Sequence, residues 1–281
     1  MLAFITWNID PEIFKLGPLS VRYYGLMWAL AFYVGYVIFN RFVKREHLPE
    51  GFLDSLLMYM IVGTVIGARL GHCLFYEPDY YLSHPIEILK IWHGGLASHG
   101  AAIGILIVLY LFARKQKVPM LYVIDRVVIA VAIGGAFIRL GNLMNSEIYG
   151  VETSLPWGFI FVRNGEVLPK HPTQLYEALS YTAIFFLLYW LYVKANGKLR
   201  NGFIFGIFLI LLFGARFLIE YVKEPQVDFE KHMTLNMGQW LSIPFIIAGI
   251  GFLVYSYLKP AVFVPSDSIS KKPVKGTGKK K

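Results

Sequence analysis

The sequence predicts an all-α membrane protein with seven transmembrane helices and a small extracytoplasmic domain. Of its 281 residues, 56% are hydrophobic and only 16% are charged, whereas soluble domains carry roughly 25% charged residues. The mean hydropathy is +0.53. The apolar residues also fall into runs of about 20, the length that an α-helix needs to cross the hydrocarbon core of a bilayer. These three observations exclude an ordinary soluble domain.

Seven apolar runs are separated by segments that carry turn and charge signals, at 18–39, 52–76, 95–113, 120–141, 173–193, 202–221 and 239–258. The connection at 142–172 is long, and its Asn164-Gly165 between short apolar runs is typical of a β-hairpin. We therefore predict a transmembrane domain over 1–258, with 142–172 forming the extracytoplasmic head segment.

The positive charges alternate between the two sets of loops, and one set is much richer in them. That set contains Arg41, Lys44, Arg45, Arg114, Lys115, Lys117, Lys194, Lys198, Arg200 and the residues from Lys259 onward. The positive-inside rule predicts that these loops are cytoplasmic, so the N-terminus is outside and the C-terminus is inside. The tail at 259–281 is polar and basic, and we expect it to be disordered and attracted to anionic lipid.

The net charge of +9 would suggest nucleic acid in a soluble protein, but here much of it lies in short loops and the tail. We therefore expect no nucleic-acid partner. The single cysteine, Cys73, excludes an intrachain disulfide and a cysteine-based metal cluster. The N-terminal residues lack a positive n-region and a small-residue cleavage site, which argues against a cleaved signal peptide.

The most informative stretch is Ile138 to Gly150, at the end of the fourth apolar run. Arg139, Asn142 and Asn145 recur every third residue, so they share a broad helix face. A charged side chain within a bilayer costs roughly 2.5–3.5 kcal/mol on insertion scales, so such residues usually bind or react. No opposite charge stands three or four residues from Arg139. We predict that it binds a ligand.

Further polar residues occur at the outer ends of other runs: Arg22, Tyr24, Arg69, His72, His93, His99, His171, Tyr176, Glu177, Arg216 and Glu220. Their common depth predicts a site in the outer leaflet. His99 lies among glycines, and we predict a general base there because histidine titrates near neutral pH. Arg216 and Glu220 are four apart, so they either neutralise each other or leave the arginine able to bind phosphate.

Glycines at spacing four predict close helix packing, namely Gly63, Gly67 and Gly71, and separately Gly202 and Gly206. No zinc-protease, nucleophile-elbow, phosphate-loop or dinucleotide motif is present, so we expect no metal and no cofactor.

Residues 138–150 resemble the signature of the prolipoprotein diacylglyceryl transferase family, which runs roughly G-R-x-G-N-F-x-N-x-E-x-x-G. Two apolar positions depart, Ile138 and Leu143, and all polar positions match. Further segments resemble the family's motifs: Tyr23-Tyr24-Gly25, Gly67-Ala68-Arg69, Gly94 to Gly100, His171 to Glu177, and Arg216-Phe217 with Glu220. Many members carry tyrosine four residues before the last arginine, where this chain has Leu212, so no hydroxyl role is assigned there.

The resemblance implies transfer of the diacylglyceryl group of phosphatidylglycerol to the lipobox cysteine of a prolipoprotein in the bacterial cytoplasmic membrane. It implies that Arg139 and Arg216 hold the phosphate and that His99 is the base or a head-group ligand. The expected pocket residues are Tyr24, Asn142, Asn145, Glu147 and Gly150, with Glu220 orienting Arg216 and Arg69 as a weaker participant. The alternative is an anionic-lipid transporter or scramblase, in which the same arginines bind a head group without chemistry. An intramembrane protease is a third and poorer reading, because Ser98 beside His99 lacks a strained nucleophile motif.

Overall fold

The structure is a computed structural model that describes residues 4–17, 19–91, 94–95, 97–225, 230, 233–259 and 262–263. The basic tail beyond 263, and also His93, lie outside the described residues. The helices are α1 (Tyr23–Arg45), α2 (Phe52–Phe75), α3 (Pro78–Ser83), α4 (Ser98–Gln116), α5 (Met120–Met144), α6 (Thr173–Lys194), α7 (Phe203–Ile219) and α8 (Met237–Leu258). The strands are β1 (Ile5–Trp7), β2 (Glu12–Leu16), β3 (Leu19–Arg22) and β4 (Phe159–Phe161).

Six described helices are long and apolar enough to cross a membrane: α1, α2, α5, α6, α7 with its short extension to Val222, and α8. The chain is therefore a multi-pass membrane protein. Helix α4 coincides with the predicted third span at 95–113, but it is not among the six. The count of seven spans stays a prediction.

The first predicted span begins too early in the sequence. Residues 19–22 form strand β3, which pairs antiparallel with β2, and α1 begins only at Tyr23. The turn between the two strands contains Gly17 with a φ of +60°. Glycine adopts this left-handed conformation without the steric cost that a side chain would add. The apolar run is thus divided between a hairpin and a helix.

The hairpin predicted around Asn164-Gly165 is formed only in part. Strand β4 pairs in parallel with β1, so its main partner comes from the start of the chain. The turn at Gly165 is present, with a φ of +78°, but Val167-Leu168 is not a strand. A single antiparallel bridge between Phe159 and Lys170 closes the segment. Parallel pairing over a long separation leaves no local sequence signal.

The chain divides into two compact units, one comprising 1–39 and 125–262 and the other comprising 40–124 and 263–281. In the second unit, α2 packs closely against α4 through glycines. A Cβ atom built on Gly71 would lie 2.6 Å from Cα of Gly100, and one built on Gly67 would lie 2.9 Å from Cα of Gly104. The predicted glycine packing of α2 is confirmed, because any larger residue would separate the two backbones.

In the first unit, α7 packs against α8, and a Cβ atom on Gly206 would lie 2.8 Å from the carbonyl oxygen of Gly249. Gly202 does not share this role. It precedes α7 with a φ of +87°, and its N–H donates to Asp125 Oδ2 at 2.7 Å. Asp125 also accepts the N–H of Phe205 at 2.8 Å. This buried carboxylate therefore caps the start of α7 from α5.

Candidate functional site

Arg139 lies in the last part of α5 and forms an ion pair with α6. Its Nε lies 2.8 Å from Oε2 of Glu177, whose side chain is fully buried, while the Arg139 side chain is 17% exposed. One Nη1 hydrogen bond goes to Asn142 Oδ1 at 3.1 Å. The Tyr181 hydroxyl is a third partner. A guanidinium carries five N–H donors, so these three partners leave donors available for a further oxyanion.

The three amide and carboxylate side chains of the motif form one hydrogen-bonded group. Asn142 donates to Oε1 of Glu147 at 2.8 Å, and Asn145 donates to the same oxygen at 3.2 Å. Gln174 at the start of α6 donates to the backbone oxygen of Glu147 at 2.7 Å. Arg139 is connected to this group through Asn142. The structure therefore brings together the four predicted polar residues of the motif.

The backbone after α5 reverses at two residues with left-handed dihedral angles, Ser146 with a φ of +55° and Ile148 with a φ of +63°. For a β-branched residue such as Ile148 this conformation is rare and strained. Gly150, predicted to permit the turn, has a different reason to be glycine. A Cβ atom there would collide with the Val222 carbonyl oxygen and lie 2.7 Å from Cβ of His171.

Two carboxylates and one lysine extend the ion pair of Arg139 into a buried network. Lys223 Nζ lies 3.5 Å from Glu177 Oε1 and 3.5 Å from Glu220 Oε2. All three side chains are at most 7% exposed. Glu220 also lies against Gly238 of α8, where a Cβ atom would come within 2.6 Å of its Oε2. The network joins the start of α6 to the segment that follows α7.

Glu220 was predicted to orient Arg216, but no ion pair joins the two among the described residues. Helix α7 ends at Ile219, yet the Glu220 N–H still donates to the Arg216 carbonyl oxygen, so the two residues remain one helical turn apart. The Glu220 carboxylate instead lies 3.5 Å from Lys223 Nζ. Among the described residues, the buried Nε of Arg216 has no hydrogen-bond partner. A buried N–H donor without an acceptor is unfavourable, which indicates that a ligand supplies one.

The charges of Arg139 and Arg216 both influence the hydroxyl of Tyr181 on α6. This hydroxyl interacts with the Arg139 guanidinium and is affected by the charge of Arg216. The tyrosine is 5% exposed, and its ring packs on Gly135, where a Cβ atom would lie 3.1 Å from Cδ2. The two predicted phosphate-binding arginines thus belong to one electrostatic neighbourhood.

Tyr24 and Trp7 support the end of α5 by packing. A Cβ atom on Gly141 would lie 2.8 Å from Cδ2 of Tyr24, so the tyrosine ring lies directly on the last turn of the helix. Trp7 on β1 donates its indole N–H to the carbonyl oxygen of Leu143 at 2.9 Å. This hydrogen bond satisfies one of the terminal carbonyls that a helix leaves without intrahelical partners.

In the second unit, Arg69 is enclosed by backbone carbonyls and is only 3% exposed. Its Nε donates to Ile88 O at 2.9 Å, and its two Nη atoms donate to Glu87 O, Lys90 O, Gly94 O and Gly95 O at 2.5–3.3 Å. The guanidinium also lies 4.9 Å from the ring of Tyr81. All five donors are used, so Arg69 holds the loop at 87–95 together.

His99 belongs to the second unit, as the second residue of α4, and it is exposed. None of the described residues hydrogen-bonds to its ring. The backbone just before it is held firmly, since Ala97 N–H donates to Ala68 O at 2.9 Å. The structure therefore leaves the imidazole nitrogens of His99 accessible.

Tyr181 and Lys223 are neighbours of the arginines that sequence reasoning missed as site residues, and Glu177 was predicted at the same depth without a role. Glu177 also belongs to the segment from His171 that resembles a family motif. Lys223 is one of the few positive charges in the loops predicted to be outside. Tyr181 lies between Ser180 and Thr182 in a largely apolar helix, and nothing in the sequence distinguishes it from a packing residue.

A cleft of about 390 Å³ opens beside the motif in the first unit. Six polar residues line it: Asn145, Ser146, Glu147, Tyr149, Asn164 and Glu224. Its Glu147 is the residue that accepts from Asn142, which in turn accepts from Arg139. The cleft therefore lies next to the arginine site and differs from it in charge.

Two titratable groups in the head segment, outside the spans, have shifted pKa values. Burial disfavours the charged form of Lys170, but the hydrogen bond and negative charge of Glu224, together with Glu166, outweigh it and raise its pKa. Lys170 Nζ lies 2.8 Å from Glu224 Oε1 and 3.5 Å from Glu166 Oε2. Burial lowers the pKa of His171, whose Nδ1 lies 3.1 Å from the Tyr176 hydroxyl.

Comparison with known proteins covers most of the chain, including both arginines of this site. Residues 11–255 match the family model described as prolipoprotein diacylglyceryl transferase. The chain is 51% identical over 251 residues to a phosphatidylglycerol–prolipoprotein diacylglyceryl transferase of Tolumonas auensis, covering 89% of this chain and 96% of that protein. It is 46% identical to the protein of the same name from Chloroherpeton thalassium, covering 92% of this chain and 96% of that protein.

Proposed function

The chain belongs to the prolipoprotein diacylglyceryl transferase family, and from this premise we propose how its residues transfer a diacylglyceryl group from phosphatidylglycerol to a prolipoprotein. This transfer is the first step of lipoprotein maturation. The observation that carries the assignment of the site is the pair of arginines, Arg139 and Arg216, that retain unused donors within a multi-pass membrane protein.

Arg139 and Arg216 bind the phosphate of phosphatidylglycerol. A guanidinium matches a phosphate through parallel N–H···O hydrogen bonds, and these are stronger than neutral ones. The buried Nε of Arg216 lacks an acceptor among the described residues, and a phosphate oxygen would supply one. The network of Glu177, Lys223 and Glu220 holds Arg139 in place and limits the cost of burying its charge.

The transfer forms one bond and breaks one. The cysteine sulfur of the lipobox forms a thioether bond to the glyceryl carbon that carries the phosphate ester, and the carbon–oxygen bond breaks. Glycerol phosphate leaves with the electron pair, and the two arginines stabilise the charge that develops on its oxygen. The thiol proton must go to a base, because the thiolate is the nucleophile.

His99 is the proposed base. Its support is the exposed imidazole, which has no hydrogen-bond partner among the described residues and can therefore take the thiol proton as a general base. Asn142, Asn145 and Glu147 shape the pocket, Tyr24 supports it by packing on Gly141, and Gly150 allows the chain to pass close to Val222. Arg69 is a positioning residue for the loop that leads to His99.

The proposed location is the bacterial cytoplasmic membrane, with the N-terminus outside and the C-terminus in the cytoplasm. The alternation of positive charges between loops supports this orientation. In it, residues 142–172 form an extracytoplasmic head segment above a membrane domain at 1–258, and the tail at 259–281 meets the inner leaflet. The site then lies at the outer leaflet, where the cysteine of an exported precursor is accessible.

The test uses purified protein in detergent with phosphatidylglycerol and a synthetic lipobox peptide, and it follows glycerol phosphate release. We expect release that requires the peptide cysteine and disappears with a cysteine-to-serine peptide. Arg216→Ala should abolish release, while Arg163→Ala serves as the matched control because Arg163 forms an exposed ion pair with Asp10 at 3.3 Å. Release that persists with the serine peptide, or full activity of Arg216→Ala, would contradict the proposal.

A further inference from the structure

The cleft beside the motif contains an unsatisfied polar group. Ser146 is 1% exposed, and its hydroxyl has no hydrogen-bond partner among the described residues. Its backbone groups are both used, since its N–H donates to Leu143 O at 3.0 Å and its carbonyl accepts from Asn164 Nδ2 at 2.6 Å. Buried hydroxyls nearly always have a partner, so this one indicates a ligand that supplies it.

The cleft is also electrically negative. Two carboxylates, Glu147 and Glu224, line it, and the hydroxyl of Tyr149 donates to a third, Glu166, at 2.8 Å. Lys170 is the cation in contact with this group and is shared among several carboxylates. Oε2 of Glu147 accepts no hydrogen bond from the described residues, since both amide donors go to Oε1. The lining therefore offers acceptors more than donors.

We propose that this cleft binds the residues of the prolipoprotein that directly follow the lipobox cysteine, and that it discriminates against acidic side chains there. The inference rests on the proposed function. The backbone N–H groups of an extended peptide are donors that suit Ser146, Glu147 and Glu224. A carboxylate on the peptide would meet like charges in a partly desolvated cleft, which is unfavourable.

The phosphate and the head-group glycerol of the lipid fit this cleft less well than a peptide does. A phosphate is repelled by the carboxylates that line it, and the arginines offer it a better site. Glycerol has only six non-hydrogen atoms, whereas a cleft of 390 Å³ corresponds to the volume of about thirteen water molecules. The position of the cleft also fits a peptide next to the phosphate site, because Glu147 is connected to Arg139 through the single residue Asn142.

The experiment compares three lipobox peptides that differ only in the three residues after the cysteine, carrying lysine, serine or aspartate there. Glycerol phosphate release is measured at limiting peptide and low salt with the full-length protein in detergent. We expect the lysine peptide to react about threefold to tenfold faster than the aspartate peptide, with the serine peptide between them. The ratio should approach one at about 1 M salt, where charges are screened.

Two matched variants test whether Glu224 causes the discrimination between the lysine and aspartate peptides. Glu224→Gln removes a cleft charge but keeps an acceptor for Lys170, so the ratio of lysine to aspartate peptide should fall towards one. Glu152→Gln removes a carboxylate 3.8 Å from the same lysine but does not line the cleft, so its ratio should equal that of the wild type. Should Glu224→Gln fail to fold, the wild-type ratio and its salt dependence still test the inference.

Three results would overturn the inference. The first is equal rates for the lysine and aspartate peptides in the wild type. The second is an unchanged ratio in Glu224→Gln. The third is a Glu224→Gln variant that changes only the KM for phosphatidylglycerol, which would assign the cleft to the lipid head group. Release without charge discrimination overturns only this inference, whereas no release with any of the peptides overturns the proposed function as well.

Discussion

Arg69 in the second unit and Arg139 in the first were predicted to serve the same ligand, yet their surroundings differ. Every donor of Arg69 meets a backbone carbonyl of the loop at 87–95. Arg139 has one carboxylate, one amide oxygen and the Tyr181 hydroxyl as its partners, and the nearby Arg216 has a buried donor with no partner among the described residues. The number of unused donors separates an arginine that stabilises the fold from one that can bind a phosphate.

The comparison also shows why burial alone is a poor guide. Arg69 is more deeply buried than Arg139, at 3% against 17% exposed for the Arg139 side chain. A phosphate would have to displace several carbonyls from Arg69 and leave them unsatisfied, at a cost of roughly 1–3 kcal/mol each. At Arg139 and Arg216 it would instead satisfy donors that already lack acceptors.

The largest expected effect concerns Arg139. Arg139→Ala should reduce glycerol phosphate release by roughly 10²–10³-fold, because it removes a donor aimed at charge that develops in the transition state. Arg139→Lys keeps the charge but loses the forked geometry, so it should retain more activity than alanine but less than the wild type. The measurement is the release rate, with thermal unfolding as a check that the fold is intact. Full activity in a folded Arg139→Ala variant would break the comparison.

The next effect concerns Arg69 and appears in stability rather than in chemistry. Arg69→Ala removes the donor from five backbone carbonyls, of which Glu87 O keeps a second donor in the Lys90 N–H, so we expect a loss of about 3 kcal/mol in the free energy of unfolding. Thermal unfolding in detergent measures it, and binding of phosphatidylglycerol by the folded fraction serves as the second readout. Unchanged stability together with lost lipid binding would show that Arg69 binds the substrate and does not mainly stabilise the fold.

A smaller effect should follow from crowding the motif turn. Gly150→Ala brings a methyl group against the Val222 carbonyl, so the turn must shift, at a cost of about 1–3 kcal/mol. Gly251→Ala is the control, because a Cβ atom there meets nothing within 4 Å. Both the melting temperature and the rate of glycerol phosphate release should fall for Gly150→Ala and not for the control. Equal behaviour of the two variants would show that the close approach to Val222 is unimportant.

The smallest effect is a pH dependence of stability that comes from His171, beside Gly150. Burial lowers the pKa of His171, so the folded state resists its protonation. The stability from this residue is complete above its unfolded pKa of about 6.5 and is lost as the pH falls through the lower folded value. The melting temperature of the wild type should therefore fall slightly more on acidification than that of His171→Gln. Identical pH profiles would mean that His171 titrates alike in both states.

Much of the architecture follows from local sequence, and the family assignment of the motif is confirmed by the comparisons. The spans and the glycine contacts of α2 depend on composition and spacing, which a single sequence displays. The partners of the arginines depend on residues far away in the chain, as when Glu177 meets Arg139 from another helix. The carbonyls around Arg69 carry no side-chain signal at all, because every residue has one.

The misassigned partner of Arg216 has a similar origin. A spacing of four places two side chains on one helix face, but it does not reveal a competing partner, and here the Glu220 carboxylate lies 3.5 Å from Lys223 Nζ. Helix ends are set by tertiary contacts such as the close approach of Gly238 to Glu220. A pattern of charges near the end of a span is therefore weaker support for a pair than the same pattern in its middle.

Strand β1 has a consequence for how the protein is made. Ile5–Trp7 is synthesised before its partner Phe159–Phe161 and before the Leu143 carbonyl that accepts the Trp7 indole N–H, which come more than 130 residues later. Strand β1 therefore stays unpaired while several helices enter the bilayer. Closing so long a loop is slow, and unpaired strands are prone to wrong associations meanwhile. The head is among the last parts of the protein to mature, so a newly inserted chain becomes competent for lipid transfer only after its beginning has met its middle.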